Sequence, residues 1–253
     1  MAPQLDPIQF WNARLADDPS LRGTGHRAFS LAYNNLLYAA QAEALADVLK
    51  KWQVDVRGKA VLDVGSGVGF YISLFESYGA REIVGLDAAQ SSISYLRNKF
   101  GQHQFYLADI GSPDFALDCQ FDFVSIISVL YHLVDERRFE CAVHNLARLM
   151  KPGGYLILSD QMSVHWLAPR HVRFRSLETY TQLLNGLGCE VLDVTPVYYL
   201  MNRTIIPKFG PWLLSQPPVT RALFRIDQRW RRSGRRGGSS MNFLLAKRLG
   251  SAE

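Results

Sequence analysis

Residues 61–70 read Val-Leu-Asp-Val-Gly-Ser-Gly-Val-Gly-Phe, and no other stretch constrains the fold so tightly. An apolar run of strand length leads into a turn with three glycines at alternate positions, and a helix is expected to open behind it. The acid of Asp-x-Gly-x-Gly-x-Gly stands inside this turn. Glycines there let the backbone come close to a ligand and adopt positive φ, where a side chain would clash. One such turn is common to several nucleotide-binding folds and does not choose among them.

Two more strands end in acids. Glu82-Ile83-Val84-Gly85-Leu86-Asp87 is apolar and closes on an acid twenty residues beyond Gly67. In a doubly wound sheet that acid sits where both ribose hydroxyls of a nucleoside can reach it. Phe105-Tyr106-Leu107-Ala108-Asp109 repeats the form, with its acid toward an adenine edge. Strands are expected at 60–64, 82–87, 104–108, 122–127, 154–159, 190–197 and 241–246. Helices fall near 69–78, 90–100, 136–150 and 176–187. Alternation of this kind predicts an α/β fold, a Rossmann-like, doubly wound and mostly parallel seven-stranded sheet covered on both faces. Ligands of such sheets bind at the carboxyl ends of the strands, where all these acids lie.

The rival dinucleotide fingerprint requires Gly-x-Gly-x-x-Gly, and Gly65-Ser66-Gly67-Val68-Gly69 has no glycine at its third place. Tyr95-x-x-x-Lys99 imitates the catalytic pair of short-chain dehydrogenases but falls on the helix after strand two, far from where a nicotinamide would lie. No Lys-Ser/Thr follows the loop, which removes a P-loop NTPase.

With its acids in this order the chain resembles the class I S-adenosylmethionine-dependent methyltransferases. Asp63 to Gly69 is similar to their first motif, Asp87 to the second and Asp109 to the third. Lys151-Pro152-Gly153-Gly154 is similar to the turn into strand five, and the resemblance runs from residue 58 to about 200. It implies S-adenosylmethionine as cofactor and S-adenosylhomocysteine as product. By the same resemblance Asp63 and Gly65 lie near the methionine part, and Ser66, Gly67 and Gly69 shape the turn. Asp87 and Ala88 meet the ribose, while Ala108, Asp109 and Ile110 meet the adenine. Ser128 closes the site after strand four. The last strand, 241–246, is expected to be the family's antiparallel edge.

Ser128-Val129-Leu130-Tyr131-His132-Leu133 resembles the hydrophobe-His-Leu signature of small-molecule methyltransferases such as those of quinone biosynthesis. An imidazole titrates near neutrality, so His132 is the candidate general base toward a substrate hydroxyl; capping the next helix is the competing structural role. Tyr131 and Asp160 are secondary candidates. The Asn/Asp-Pro-Pro-Tyr tetrapeptide of nucleic-acid amino methylation is absent after strand four. The acids that would hold a catechol-type metal are also missing, and no metal is expected. The implied reaction is methyl transfer to a small molecule, at oxygen before nitrogen or carbon. An RNA methyltransferase and a non-catalytic cofactor-binding partner are the alternatives.

Residues 1–57 read as an N-terminal helical lid on a core of 58–253. Asp6-Pro7 starts a first helix to about residue 17, and a second pattern runs from about Phe29 to Trp52. Tyr33, Asn34 and Tyr38 either face the site or pack the helix on the sheet. Three scattered cysteines, no basic-apolar leader and no apolar run approaching the ~20 residues of a membrane span point to a cytoplasmic location.

The charge is unevenly placed. The net +5 of the chain hides a segment from Arg203 to Arg248 with eleven Lys and Arg against one acid, Asp227. Nine of the eleven fall in an insertion at 202–240. There, Pro218 to Arg232 draws as an amphipathic helix with Val219, Leu223, Ile226 and Trp230 on one face and Arg221, Arg225, Arg229 and Arg232 on the other. Three uses compete: core packing with solvated arginines, peripheral membrane contact through 218–236, and recognition of an anionic or lipid-like substrate. Nucleic acid is not the expected partner, because no stacking aromatics are interleaved with the charge.

Overall fold

Strand β1 (Ala60–Val64) is buried at every residue, as a strand covered on both faces must be. Its side chains alternate between two cores. Val61 joins the apolar cluster that includes Ile83, Ile93, Phe75 and Phe123, whereas Leu62 and Val64 join the one that includes Leu86, Ile126, Phe139 and Leu158. The computed structural model describes residues 6–162, 172–202, 210–235 and 237–250.

Around β1 the chain runs α1 (Pro7–Asp17), α2 (Leu21–Thr24), α3 (Leu31–Lys51), β1, α4 (Phe70–Ser77), β2 (Glu82–Asp87), α5 (Gln90–Lys99) and β3 (Gln104–Leu107). It continues through β4 (Phe121–Ile126), a 3₁₀ turn (Leu130–His132), α6 (Glu136–Leu149), β5 (Met150–Asp160), α7 (Leu177–Gly186) and β6 (Cys189–Tyr198). It closes with α8 (Gly210–Leu214), α9 (Pro217–Arg232) and β7 (Met241–Arg248). The strands form one seven-stranded sheet in the order β3-β2-β1-β4-β5-β7-β6. Pairings among β1 to β5 are parallel, while β7 is the antiparallel strand, lying between β5 and β6 so that β6 and not β7 forms the edge. The order reverses between β1 and β4, which places the crevice at the carboxyl ends of those strands.

Most element ends fall within two residues of the expected ones. Strand β5 starts four residues early, at Met150, because Met150 pairs with Phe121 across an irregularity in register. The N-terminal helix is capped as read, with the Asp6 carboxylate accepting the Ile8 amide at 3.0 Å. Helix α3 is capped by Ser30, whose hydroxyl accepts the Tyr33 amide. Tyr33 and Asn34 have structural roles. The Tyr33 ring stacks on Phe29 at 4.3 Å, and its hydroxyl accepts the Asn202 amide. Asn34 bridges the backbone of His26 and Ser30. Gln41 joins the hydroxyls of Tyr71 and Tyr198, both at 2.5 Å, tying α3 to α4 and β6.

Helix α9 forms with Val219 and Leu223 of the expected apolar face packed against the core and Trp230 edge-on to Tyr199 at 5.7 Å. Thr220 and Asp227 are its buried residues, and Ile226 is left exposed. Polar partners fix the same inward face. The Asp227 carboxylate accepts the amides of Leu200 and Met201 at 2.8 and 2.9 Å, and Arg231 reaches Glu43 at 2.9 Å and the Ala40 carbonyl at 3.1 Å. A buried carboxylate without those amides would cost more than exposing one isoleucine. The Ser163-Val164-His165-Trp166 stretch, Arg203, Lys208 and Arg236 lie outside the described residues.

Candidate active site

The turn after β1 is held down from β2. Amides of Gly65 and Ser66 donate to the Leu86 carbonyl at 2.7 and 3.1 Å, and the Gly67 amide donates to Asp87 Oδ2 at 2.8 Å. Asp87 Oδ1 accepts the Ala89 amide at 2.9 Å, so both carboxylate oxygens are held by backbone amides. Burial pushes the Asp87 carboxyl above the ordinary carboxylate range, and hydrogen bonds from the Ala89, Gly67 and Ala88 amides and from Ser92 pull back against that.

Two glycines have no substitute here. Gly65 has φ +73°, and a Cβ on it would stand 2.2 Å from Val129 Cγ2. Gly67 has φ +53°, and its Cβ would stand 2.7 Å from Thr24 Cγ2, so the end of α2 lies directly on the turn.

A cleft opens over this turn, with about 870 Å³ of space counting its mouth. Gly65, Gly67, Asp87, Ala88, Ala108, Asp109, Ile110, Ser128 and His132 all line it. Tyr38 also lines it, with its hydroxyl donating to Thr24 Oγ1 at 2.8 Å. Asp63, Ser66, Gly69 and Tyr131 do not reach its surface. Asp63 is buried: its Oδ1 accepts the Ser125 hydroxyl at 2.5 Å, while Oδ2 has no partner. Desolvation pushes its carboxyl up to about 7, with the neighbouring Asp87 adding to the effect. Ser66 Oγ donates to the Asp63 carbonyl, and Gly69 stands at the start of α4, so both shape the turn from behind.

Tyr131 packs its ring 4.5 Å from His132 and 5.5 Å from Phe174. Burial lifts its phenol well above the ordinary tyrosine value, which suits a packing role and not proton transfer at neutral pH. Asp160 lies beneath the end of β5, accepting the Tyr180 hydroxyl at 2.6 Å and the Gln161 amide. Burial pushes it up to about 6. Ser128 has φ +62°, a strained value for a residue with a Cβ, and its amide donates to Ser159 Oγ at 2.7 Å. Backbone strain of this kind gathers where a chain must aim at a ligand.

Several lining residues were not foreseen. Helix α1 brings Pro7, Ile8, Trp11 and Leu15 to the cleft, and the Trp11 ring meets His132 edge-on at 5.1 Å. The Arg14 guanidinium lies 4.9 Å from the Trp11 ring and donates to the carbonyls of Gly23 and Gly25. The spacing of Ile8, Trp11 and Leu15 along one helical face was the available signal. Arg138 of α6 also lines the cleft, paired with Asp109 at 2.5 Å. Asp109 additionally accepts the Gly111 amide, so its oxygens are already oriented. Among the described residues no three of His, Cys, Asp or Glu converge as a metal cluster.

A parallel sheet with this strand order and a glycine turn clasped by an acid defines a Rossmann-like, class I methyltransferase architecture. A methyltransferase-domain family pattern matches residues 36–194, and the chain belongs to that family. It is 27% identical over 177 residues, 62% of each chain, to the O-methyltransferase cnsE of Penicillium expansum. It is 28% identical over 169 residues to a ubiquinone biosynthesis O-methyltransferase of Coxiella burnetii, covering 58% of this chain and 70% of the relative. The magnesium protoporphyrin IX methyltransferase of Synechocystis PCC 6803 shares the fold at a TM-score of 0.61 with 15% identity, over 98% of this chain and 100% of the other.

Proposed function

We propose that the protein transfers the methyl group of S-adenosylmethionine to a hydroxyl oxygen of a small molecule and releases S-adenosylhomocysteine. The observation that carries this reading is the meeting of the Gly65–Gly67 turn, Asp87, Asp109 and His132 in one cleft at the strand ends. The residues fit the cofactor. Asp87, lining the cleft and oriented by the Gly67 and Ala89 amides, is the acid that meets the vicinal diol. Ala88, Ala108 and Ile110 offer a flat apolar wall for adenine, with Asp109 at its edge.

When bound, the cofactor supplies a methyl group already activated by a sulfonium charge. The chain itself has to orient the acceptor and exclude water. Trp11, Ile8 and Leu15 line the cleft with apolar surface, and His132, held edge-on to Trp11, orients the acceptor hydroxyl and takes its proton. The acceptor is anionic or lipid-like, and a peripheral membrane contact through 218–236 is part of the same reading.

The test is transfer of labelled methyl from S-adenosylmethionine into cell extract separated into lipid, soluble and RNA fractions. Alkali-stable label in the lipid or soluble fraction supports ether formation on a small molecule. Label confined to RNA sinks the reading.

A further inference from the structure

Turning the inner face of α9 toward α3 has a consequence for its outer face. Arg221, Arg225, Arg229 and Arg232 are all exposed, and among the described residues none meets a carboxylate at ion-pair distance. On an α-helix these positions fall within roughly a quarter of the circumference. Glu43 and Asp47 of α3, the helix against which α9 packs, are engaged by the inward Arg231. Asp227 is buried on the opposite face, with its oxygens on the Leu200 and Met201 amides. The outer stripe therefore carries positive charge that nothing in the described chain answers.

The apolar side of this surface lies on α8, not on the stripe read from the sequence. Trp212 is 67% exposed and Leu213 38% exposed. Both side chains stand on a turn fastened to α9, since Thr220 Oγ1 donates to the Leu214 carbonyl at 2.5 Å and the Gln216 amide group to the Trp212 carbonyl at 3.2 Å. Ser30 donates its amide to Ser215 Oγ at 2.9 Å, which seats the start of α3 against the same turn and brings Leu31, 48% exposed, to that end. Ile226, 39% exposed, stands beside the arginines on α9.

We propose that α8 and the outer face of α9 form a docking surface for an anionic phospholipid bilayer, with Trp212 and Leu213 entering the interface and the four arginines pairing with lipid phosphates. Indole at the headgroup level, aliphatic side chains beside it and a basic stripe are what an interfacial contact requires. Complementarity of charge selects the occupant: four exposed arginines on one helix face, with no carboxylate among the described residues at ion-pair distance, match a polyanionic surface. The exposed aliphatics favour a bilayer over RNA, where aromatic platforms interleaved with the charge would be needed. No described helix is long and apolar enough to cross a membrane, which fits a surface contact. This inference deepens the membrane part of the proposed function and rests on it, yet its test needs no methyl transfer.

The experiment is co-sedimentation of the full chain with phosphatidylcholine vesicles, with and without phosphatidylglycerol, at low and high salt. Binding is expected only with phosphatidylglycerol, falling as salt rises. Substituting Arg221, Arg225, Arg229 and Arg232 together by Gln should lower the partition coefficient at least tenfold. Trp212→Ser with Leu213→Ser should lower it severalfold while retaining the salt dependence. Circular dichroism and S-adenosylhomocysteine binding, read in parallel, report that each variant is folded and separate failure of docking from failure of the catalytic reading. Absence of sedimentation by the parent protein, equal binding by the four-arginine variant, or tight RNA binding lost in that variant without vesicle binding would each overturn the proposal.

Discussion

Asp87, at the carboxyl end of β2, accepts the amide of Gly67, in the turn after β1, at 2.8 Å. An acid expected to meet a ribose thus also holds the loop that would face the rest of the same ligand. Loss of this one carboxylate should loosen the turn as well as remove a ligand contact. Asp87→Ala is expected to weaken S-adenosylhomocysteine binding by more than about tenfold, with Asp87→Asn intermediate, since charged hydrogen bonds are the stronger ones. Isothermal titration calorimetry measures both. Wild-type affinity in Asp87→Ala would remove Asp87 from the cofactor site.

Asp63 makes stability depend on pH. Burial raises its carboxyl from 3.8 to about 7, so between those values the folded chain holds a proton that the unfolded chain has released. Stability therefore falls as pH rises through that window and levels off above it, by on the order of a few kcal/mol. Asp160, pushed up to about 6, and Asp87, also raised, act in the same direction. Asp63→Asn should flatten part of the decline in thermal midpoint from about pH 4 to about pH 7. An unchanged slope would show that the Asp63 carboxyl titrates normally.

The roof of the cleft makes a separate prediction. Trp11 stands edge-on to His132 at 5.1 Å, so the two should affect different steps. His132→Ala is expected to lower turnover about 100-fold with little change in S-adenosylhomocysteine affinity, as loss of a general base does. Trp11→Ala should weaken the cofactor affinity severalfold by opening the cleft. Near-wild-type turnover and an unchanged pH profile in His132→Ala would end the base assignment.

Gly65 offers a steric check that involves no charge. A Cβ there would meet Val129 Cγ2 at 2.2 Å, at φ +73°. Gly65→Ala should cost about 2 kcal/mol or more of stability by combining backbone strain with a clash. Gly65→Ala with Val129→Ala should recover the clash and keep the strain. Denaturant unfolding of both variants separates the two contributions.

Local chemistry made much of this protein legible before its fold was seen. The run of strand, glycine turn and acid at Asp63, Asp87 and Asp109 is short-range information, because strand burial, positive φ and the acid at a strand end are each written within a few residues. The seven-strand alternation and the cap at Asp6 belong to the same category. The cleft lining was legible where it followed those strand ends and obscure where it came from elsewhere: Trp11, Thr24 and Arg138 reach it only through the packing of α1, α2 and α6. Tertiary structure alone decided that Asp63 is buried off the cleft, that Tyr131 packs away from it, and that α9 turns Asp227 and Arg231 inward. In each case the deciding partner, Ser125, Phe174, or the backbone of residues 200 and 201, is distant in sequence. A buried charge is placed by the donors that satisfy it, and periodicity along one helix carries no information about where those donors will be.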